Sequence, residues 1–304
     1  MFYKDNWLSW SYDNGPEYGP KLAPDAQCTI SLRNVVTRPV NSYYEELLAN
    51  ARLIRDTFTG PLDLLFSGGI DSEIILRVYL ELKIPVNVYI FKYENDYNYI
   101  EFNLAVKICE ELNVTPTIID FQLQKFFEND AYDIWTKVYS NNGAWLPHMK
   151  MTEYVDGLPI IGMGEPYWGR SDDGTWNFEM WEGPHYCAIY HKTIGRTMIS
   201  DWYEYSPEII LAHAELPLIQ DLIQDKIPGK HSSWSSRLAI HTQYWPTIVA
   251  RPKLIGFEGE KPNKDNLLPP FIVEFNKTYG TDTVSSTKDS YSKEELHNLI
   301  GRPC

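Results

Sequence analysis

The sequence predicts an α/β fold: a parallel-sheet core, a helical C-terminal portion and an inserted β-hairpin. Three observations predict it. An apolar run at 62–66 breaks at Ser67-Gly68-Gly69 straight into a helical pattern. Strand-like and helix-like patterns then alternate to about residue 120. Beyond Ser206-Pro207-Glu208 the recurring patterns are helical. Alternation of this kind implies parallel strands joined by right-handed crossovers.

Taken in order, residues 1–40 are rich in Pro, Gly, Asn, Asp and Tyr, and read as a surface-wrapping segment with a short strand at 28–32. A helix follows at 42–56, opened by Ser42 with Glu45 three residues on, the pattern of a capping box. From Asp71, the residues Ile74, Ile75, Val78, Tyr79 and Leu82 recur at helical spacing until Pro85. The β-branched and aromatic stretch 86–91 reads as a strand. Leu104, Ala105, Ile108, Cys109 and Leu112 line one face of a second helix, Asn113 is its C-cap, and 114–120 is a third strand. A short strand at 159–161 breaks into Gly162-Met163-Gly164-Glu165-Pro166. Trp176, Phe178 and Met180 alternate with polar residues, as do Tyr186, Ala188 and Tyr190 beyond Gly183-Pro184, which predicts a hairpin. Helices are expected from Pro207, over about 232–243, and at 292–300, the last with a second capping box, Ser292 and Glu295. The organisation expected is 1–57 (wrapping segment and helix), 58–165 (α/β core), 166–205 (aromatic hairpin or lid) and 206–304 (helical portion and tail).

Composition excludes several classes. The chain has 304 residues, 43% hydrophobic and 22% charged, as in ordinary globular proteins. No apolar run approaches the roughly 20 residues needed to span a bilayer, and MFYKDNWLSWSYDNG carries no secretory pattern, so no membrane role is expected. Cys28, Cys109, Cys187 and Cys304 form no C-x-x-C pair, which counts against a zinc site or thiol redox motif and fits a reducing, cytoplasmic setting. The net charge of −14 counts against a nucleic-acid partner, because phosphate contacts demand a basic face. Six of the ten tryptophans lie between 135 and 202, a density suited to a recognition surface or a large apolar interface such as a homo-oligomer's.

The glycine-bracketed loop has a definite chemistry. Gly68 and Gly69 allow close backbone approach and positive φ, so consecutive N–H groups can face an anion. The helix that follows adds the positive end of its dipole. Ser67 and Ser72 contribute hydroxyls at the two ends. Asp71, when ionised, cannot donate to phosphate; it either holds Mg²⁺ or braces the loop by accepting N–H bonds. No lysine follows Ser72. Glu73 stands there instead, either as a Mg²⁺ contact or as a complement to the helix N-terminus. The neutralising charge must therefore come from metal and from elsewhere, and Arg237, Arg251 and Lys253 are the candidate phosphate cations, each alternatively a surface charge.

Ser67-Gly68-Gly69-x-Asp71-Ser72 resembles the pyrophosphate loop, or PP-loop, of the ATP pyrophosphatase superfamily. The resemblance spans about 60–122, including Glu101-x-x-x-Ala105, and is nearest to the asparagine synthetase and queuosine-pathway types. It implies a Rossmann-like, adenine nucleotide alpha-hydrolase-like fold with ATP and Mg²⁺ as cofactors. It also implies attack at the α-phosphate, with pyrophosphate leaving and an adenylated intermediate formed. Asp71 and Ser72 would be catalytic, and Phe66, Ser67, Gly68, Gly69, Ile70, Asp71 and Ser72 would contact the nucleotide. Phe91 is either packed near the adenine or an ordinary core aromatic. By analogy with asparagine synthetases, Gly162, Gly164 and Glu165 would form a second loop beside the pyrophosphate. Glu165 is then a Mg²⁺ or substrate contact, or else a turn acid; Asp71 and Glu165 are the candidate metal ligands.

The expected activity is that of an ATP-dependent adenylating ligase of the amidotransferase kind, releasing AMP and PPi. It would activate a carboxylate or carbonyl oxygen of a small-molecule substrate for attack by ammonia or an amine. The related glutaminases place a cysteine after the initiator methionine; here Phe2 follows Met1, so ammonia is expected free or from a glutaminase or other protein partner. Two alternatives stand beside this: a nucleobase- or tRNA-modifying PP-loop enzyme, including sulfur transfer, and a non-catalytic nucleotide-binding or interaction module.

Overall fold

The computed structural model describes residues 7–13, 15–33, 35–36, 38–163, 165–229, 232–251, 256–257, 259, 268–281 and 288–300. It opens with an antiparallel ribbon, β1 (Leu8–Tyr12) and β2 (Cys28–Leu32), in the register Trp10↔Ile30. Helix α1 (Tyr43–Thr57) begins at the predicted capping box, with both the Ser42 and the Glu45 bonds made. Its buried Leu47, Ala51 and Ile54 recur at helical spacing. The core then runs β3 (Leu62–Leu65), α2 (Ile70–Glu81), β4 (Asn87–Tyr93), α3 (Tyr99–Glu111), β5 (Thr117–Phe121), α4 (Leu123–Asn129), α5 (Ala131–Val138), α6 (Leu146–Met151) and β6 (Leu158–Ile161). The four strands form one parallel sheet in the order β5-β4-β3-β6.

That order explains where the site lies. From β3 the chain winds outward through β4 to β5, then returns to place β6 on the other side of β3. The carboxyl ends of β3 and β6 therefore flank a topological switch point, where open α/β sheets bind ligands. Asp63, buried in β3, is satisfied there. It accepts from the Asn87 side chain at 2.8 Å and from the Gly157 N–H at 2.6 Å, which fixes the entry to β6.

The remainder is β7 (Tyr167–Arg170), β8 (Trp176–Trp181), α7 (Gly183–Thr193), α8 (Pro207–Ala214), α9 (Pro217–Ile223), α10 (Arg237–His241), α11 (Pro270–Tyr279), β9 (Lys288–Tyr291) and α12 (Lys293–Ile300). The last opens on the predicted Ser292–Glu295 capping box. β8 lies between β7 and β9, antiparallel to both. A hairpin is thus present, but its arms are β7 and β8; the expected second arm at 186–190 is helix α7. Pro184 in its first turn is preset in φ for a helix and cannot donate to a ladder. Tyr186 and Tyr190 also satisfy an i, i+4 spacing, and both are buried. The third core strand starts at Thr117 rather than 114. Asn113 closes α3 with φ 55°, its successor's N–H returns to Cys109 O at 2.8 Å, and Pro116 has no N–H for a ladder. The helix expected over 232–243 is shorter, a 3₁₀ turn at Ser233–Ser236 followed by α10.

The central tryptophans build core. Trp135, Trp168, Trp176 and Trp202 are buried, and Trp202 links α2 to α1 by donating to the Tyr79 hydroxyl at 3.2 Å and accepting at its carbonyl from Asn50 at 2.8 Å. Among the described residues, no helix is long and apolar enough to cross a membrane.

Candidate active site

The site is built around the first turn of α2. Phe66 continues the β3–β4 ladder by donating to Tyr89 O at 2.8 Å, and its ring is buried in the core. The chain then turns through Gly68 at φ 74° to Gly69, the helix N-cap. The N–H groups of Ile70, Asp71 and Ser72 precede the first helical bond, from Glu73 N–H to Gly69 O at 3.0 Å, and the N-cap Gly69 has no side chain to cap them. These are the donors an anion would take. The loop is shaped from within: Ser67 Oγ accepts from Gly69 N–H at 3.2 Å and lies 3.2 Å from Ser72 Oγ, which donates to Gly69 O at 3.1 Å.

Two glycines let neighbouring backbone close on this loop. A Cβ at Gly68 would stand 2.8 Å from the Ala105 nitrogen in α3, and one at Gly162 would stand 2.9 Å from both the nitrogen and Cα of Ser72. The loop is therefore clamped between α3 on one side and the chain leaving β6 on the other.

The predicted acids and one predicted cation meet here. Arg237 Nη1, at the start of α10, donates to both Asp71 carboxylate oxygens at 2.7 and 2.9 Å and to Glu165 Oε2 at 3.3 Å. The Glu165 side chain is 3% exposed, and its Oε1 lies 2.7 Å from Nε2 of fully buried His241. Burial alone would raise the Glu165 pKa, but His241 and then Arg237 outweigh it and bring it to about 2. Glu165 is ionised at neutral pH. Behind it, Tyr203 donates to the Asp71 carbonyl at 2.8 Å. Burial, with Glu165 and Asp71 nearby, pushes the Tyr203 pKa well above its ordinary value and keeps it a donor.

Among the other predicted residues, Arg251 reaches α2, pairing through Nη2 with buried Glu73, which also accepts from Arg77 Nε at 2.7 Å. Phe91 packs edge-on against Phe121 and Tyr154 with centroids 6.2 and 6.0 Å away, a core position. Gly164 and Lys253 lie outside the described residues. The sequence reading missed His241, Tyr203 and the Glu73 pairings. A signal for His241 existed: it stands four residues after Arg237, on the same helical face.

Asp71 and Glu165 converge on one nitrogen, so an oxygen-seeking cation could replace it. Mg²⁺ commonly uses one or two carboxylates plus phosphates, and the pair fits that donor set. Among the described residues no cluster of three or more His, Cys, Asp or Glu is arranged to hold a metal.

Residues 64–155 match the family model described as queuosine biosynthesis protein QueC, a stretch that ends before β6, Glu165 and Arg237. No curated protein matches the chain. Among solved structures, the NMN synthetase from Francisella tularensis is 13% identical with a TM-score of 0.33, over 81% of this chain and 96% of that one. A glutamine-dependent NAD⁺ synthetase from Acinetobacter baumannii, solved with ADP, is 15% identical with a TM-score of 0.32, over 76% of this chain and 44% of that one. The loop sequence, the parallel sheet behind it and the family match agree: residues 64–155 are similar to the PP-loop ATP pyrophosphatase type.

Proposed function

We propose that the chain is an ATP-dependent adenylating ligase that releases AMP and PPi and activates a carboxylate or carbonyl oxygen for attack by ammonia or an amine. The observation that carries this reading is the convergence of Asp71, Glu165 and Arg237 at the glycine-opened N-terminus of α2. In this reading the N–H groups of the first turn of α2 and the Ser67 and Ser72 hydroxyls bind the triphosphate. Asp71 and Glu165 hold Mg²⁺, which when bound neutralises the polyphosphate. Arg237, released from the two carboxylates, turns to phosphate charge. Catalysis rests on positioning and on preorganised electrostatics rather than on a covalent protein intermediate.

A second reading keeps this chemistry and makes the acceptor a nucleobase; the match to a queuosine-biosynthesis family supports it. Its sulfur-transfer branch is less well supported. Burial raises the Cys109 thiol pKa to about 11 and that of Cys187 to about 12, so neither is a ready thiolate at neutral pH.

The test is product analysis with ATP, Mg²⁺ and a panel of carboxylate and nucleobase acceptors. Acceptor-dependent AMP and PPi are expected, with loss of turnover in Asp71→Asn. ADP and phosphate as products, or undiminished activity in that variant, would overturn the reading. Stimulation by a nucleobase or by tRNA would favour the second reading.

A further inference from the structure

The two carboxylates at the start of α2 are held differently. Arg237 Nη1 lies 2.7 and 2.9 Å from the two oxygens of Asp71, but it meets Glu165 through Oε2 alone, at 3.3 Å. The other Glu165 oxygen, Oε1, is taken by His241 Nε2 at 2.7 Å. An ionised carboxylate only accepts, so Nε2 carries the hydrogen whichever charge the ring bears. The imidazole has little room to swing away. His241 is fully buried, and its ring packs against Tyr43 at the start of α1 with centroids 6.2 Å apart. Tyr43 in turn meets buried His213 of α8 edge-on at 5.2 Å.

A cation in the place of Nη1 would therefore find both oxygens of Asp71 and one of Glu165. His241 withholds the fourth. Oxygen count bears on cation choice: Ca²⁺ takes more ligands and readily accepts both oxygens of one carboxylate, whereas Mg²⁺ keeps a strict octahedral set completed by phosphate and water. We propose that His241 is the positioning residue of Glu165: it ties up Oε1, confines Glu165 to ligation through Oε2, and so tunes the site to Mg²⁺ over Ca²⁺. Partners that orient a ligand from behind commonly set metal affinity in this way. Glu165 and His241 both lie beyond residues 64–155, so this control comes from chain outside the family match. The inference rests on the reading of Asp71 and Glu165 as cation ligands.

Calorimetry on the full chain tests it. The probe is α,β-methylene ATP, which cannot release pyrophosphate, titrated in excess Mg²⁺, in excess Ca²⁺ and in chelator. The wild type is expected to bind it more tightly in Mg²⁺ than in Ca²⁺. His241→Phe, which frees Oε1, should shrink that preference by about tenfold, the lower end of what losing such a partner costs in metal affinity. His241→Gln, whose amide N–H can replace Nε2–H, should keep most of the preference. A merely structural role would weaken binding equally with both cations; an unchanged ratio in folded His241→Phe protein would overturn the proposal alone. A wild-type affinity that neither cation raises above that in chelator would overturn the reading of the two acids as cation ligands, and the proposal with it. Should His241→Phe not fold, a crystal structure of the wild type with the analogue and Mn²⁺ gives the second measurement. Ligation through Oε2 alone, with Oε1 still on His241, is expected; both Glu165 oxygens on the metal, or a bond from His241 to it, would overturn the proposal.

Discussion

A methyl group at Gly162 would lie 2.9 Å from the Ser72 nitrogen, closer than real Cβ atoms come to backbone. Gly162→Ala must therefore push the phosphate loop and the chain after β6 apart. We expect it to cost about 1–3 kcal/mol of stability, the usual range for overpacking, and to reduce ATP affinity; chemical denaturation and nucleotide titration check both. The Gly-x-Gly pattern was visible in the sequence, but its reason was not, because the contact is with a residue 90 positions earlier in a different element. His191 shows the same gap between pattern and environment. Thr152 Oγ donates to Met149 O at 2.6 Å, so it accepts from His191 Nε2–H and leaves Nδ1 as the bare nitrogen, buried with no partner among the described residues. Burial, then Arg196, lowers the His191 pKa to about 4 against an opposing effect of Glu153. With the folded pKa below the unfolded 6.5, the unfolded chain binds more protons between those values. This residue's contribution to stability is therefore retained above pH 6.5 and lost as pH falls toward 4. Denaturation at pH 7 and pH 4.5 should show a smaller loss in His191→Gln than in the wild type.

Elements were legible where local chemistry decides them. The Ser42 capping box, the Cys28–Leu32 strand and the Ser292–Glu295 cap are all present as read, since each depends on residues within a turn of one another. Ser42→Ala should lower the unfolding free energy by about 1 kcal/mol, because its hydroxyl accepts from the Glu45 N–H in the exposed first turn of α1; chemical denaturation checks it. Where two periods agree over a few residues, the sequence was ambiguous. Tyr186, Ala188 and Tyr190 fit a strand by alternation, but Tyr186 and Tyr190 fit a helix as well, and Pro184 decided for α7. The loop and its residues 67–72 were readable from the motif. The Arg237–Glu165–His241 arrangement was not, beyond the naming of its first two members, because the fold rather than the spacing brings them together.

At the scale of the whole molecule, the site closes only when distant parts of the chain meet. Asp71 and Arg237 are 166 residues apart, and Glu165 and His241 are 76 apart. Family likeness covers the loop but ends before β6, so the partners of Asp71 come from chain beyond the matched segment. On the proposed reading, nucleotide occupancy would be tied to the Arg237–Asp71 pairing between α10 and α2. ATP with Mg²⁺ should therefore slow amide exchange in residues 67–75 and in α10 together. At a hundred times Kd it should stabilise the fold by about 2.7 kcal/mol. Arg237→Ala should uncouple the two segments, leaving ligand protection in α2 and none in α10, and should lower AMP formation by about 10²–10³-fold, the usual cost of removing one preorganised charge-stabilising donor. Hydrogen exchange read by mass spectrometry separates the segments. Protection confined to α2 in the wild type would mean that α10 is a passive neighbour of the loop, whereas joint protection that Arg237→Ala abolishes would make the guanidinium the link between the matched core and the C-terminal portion.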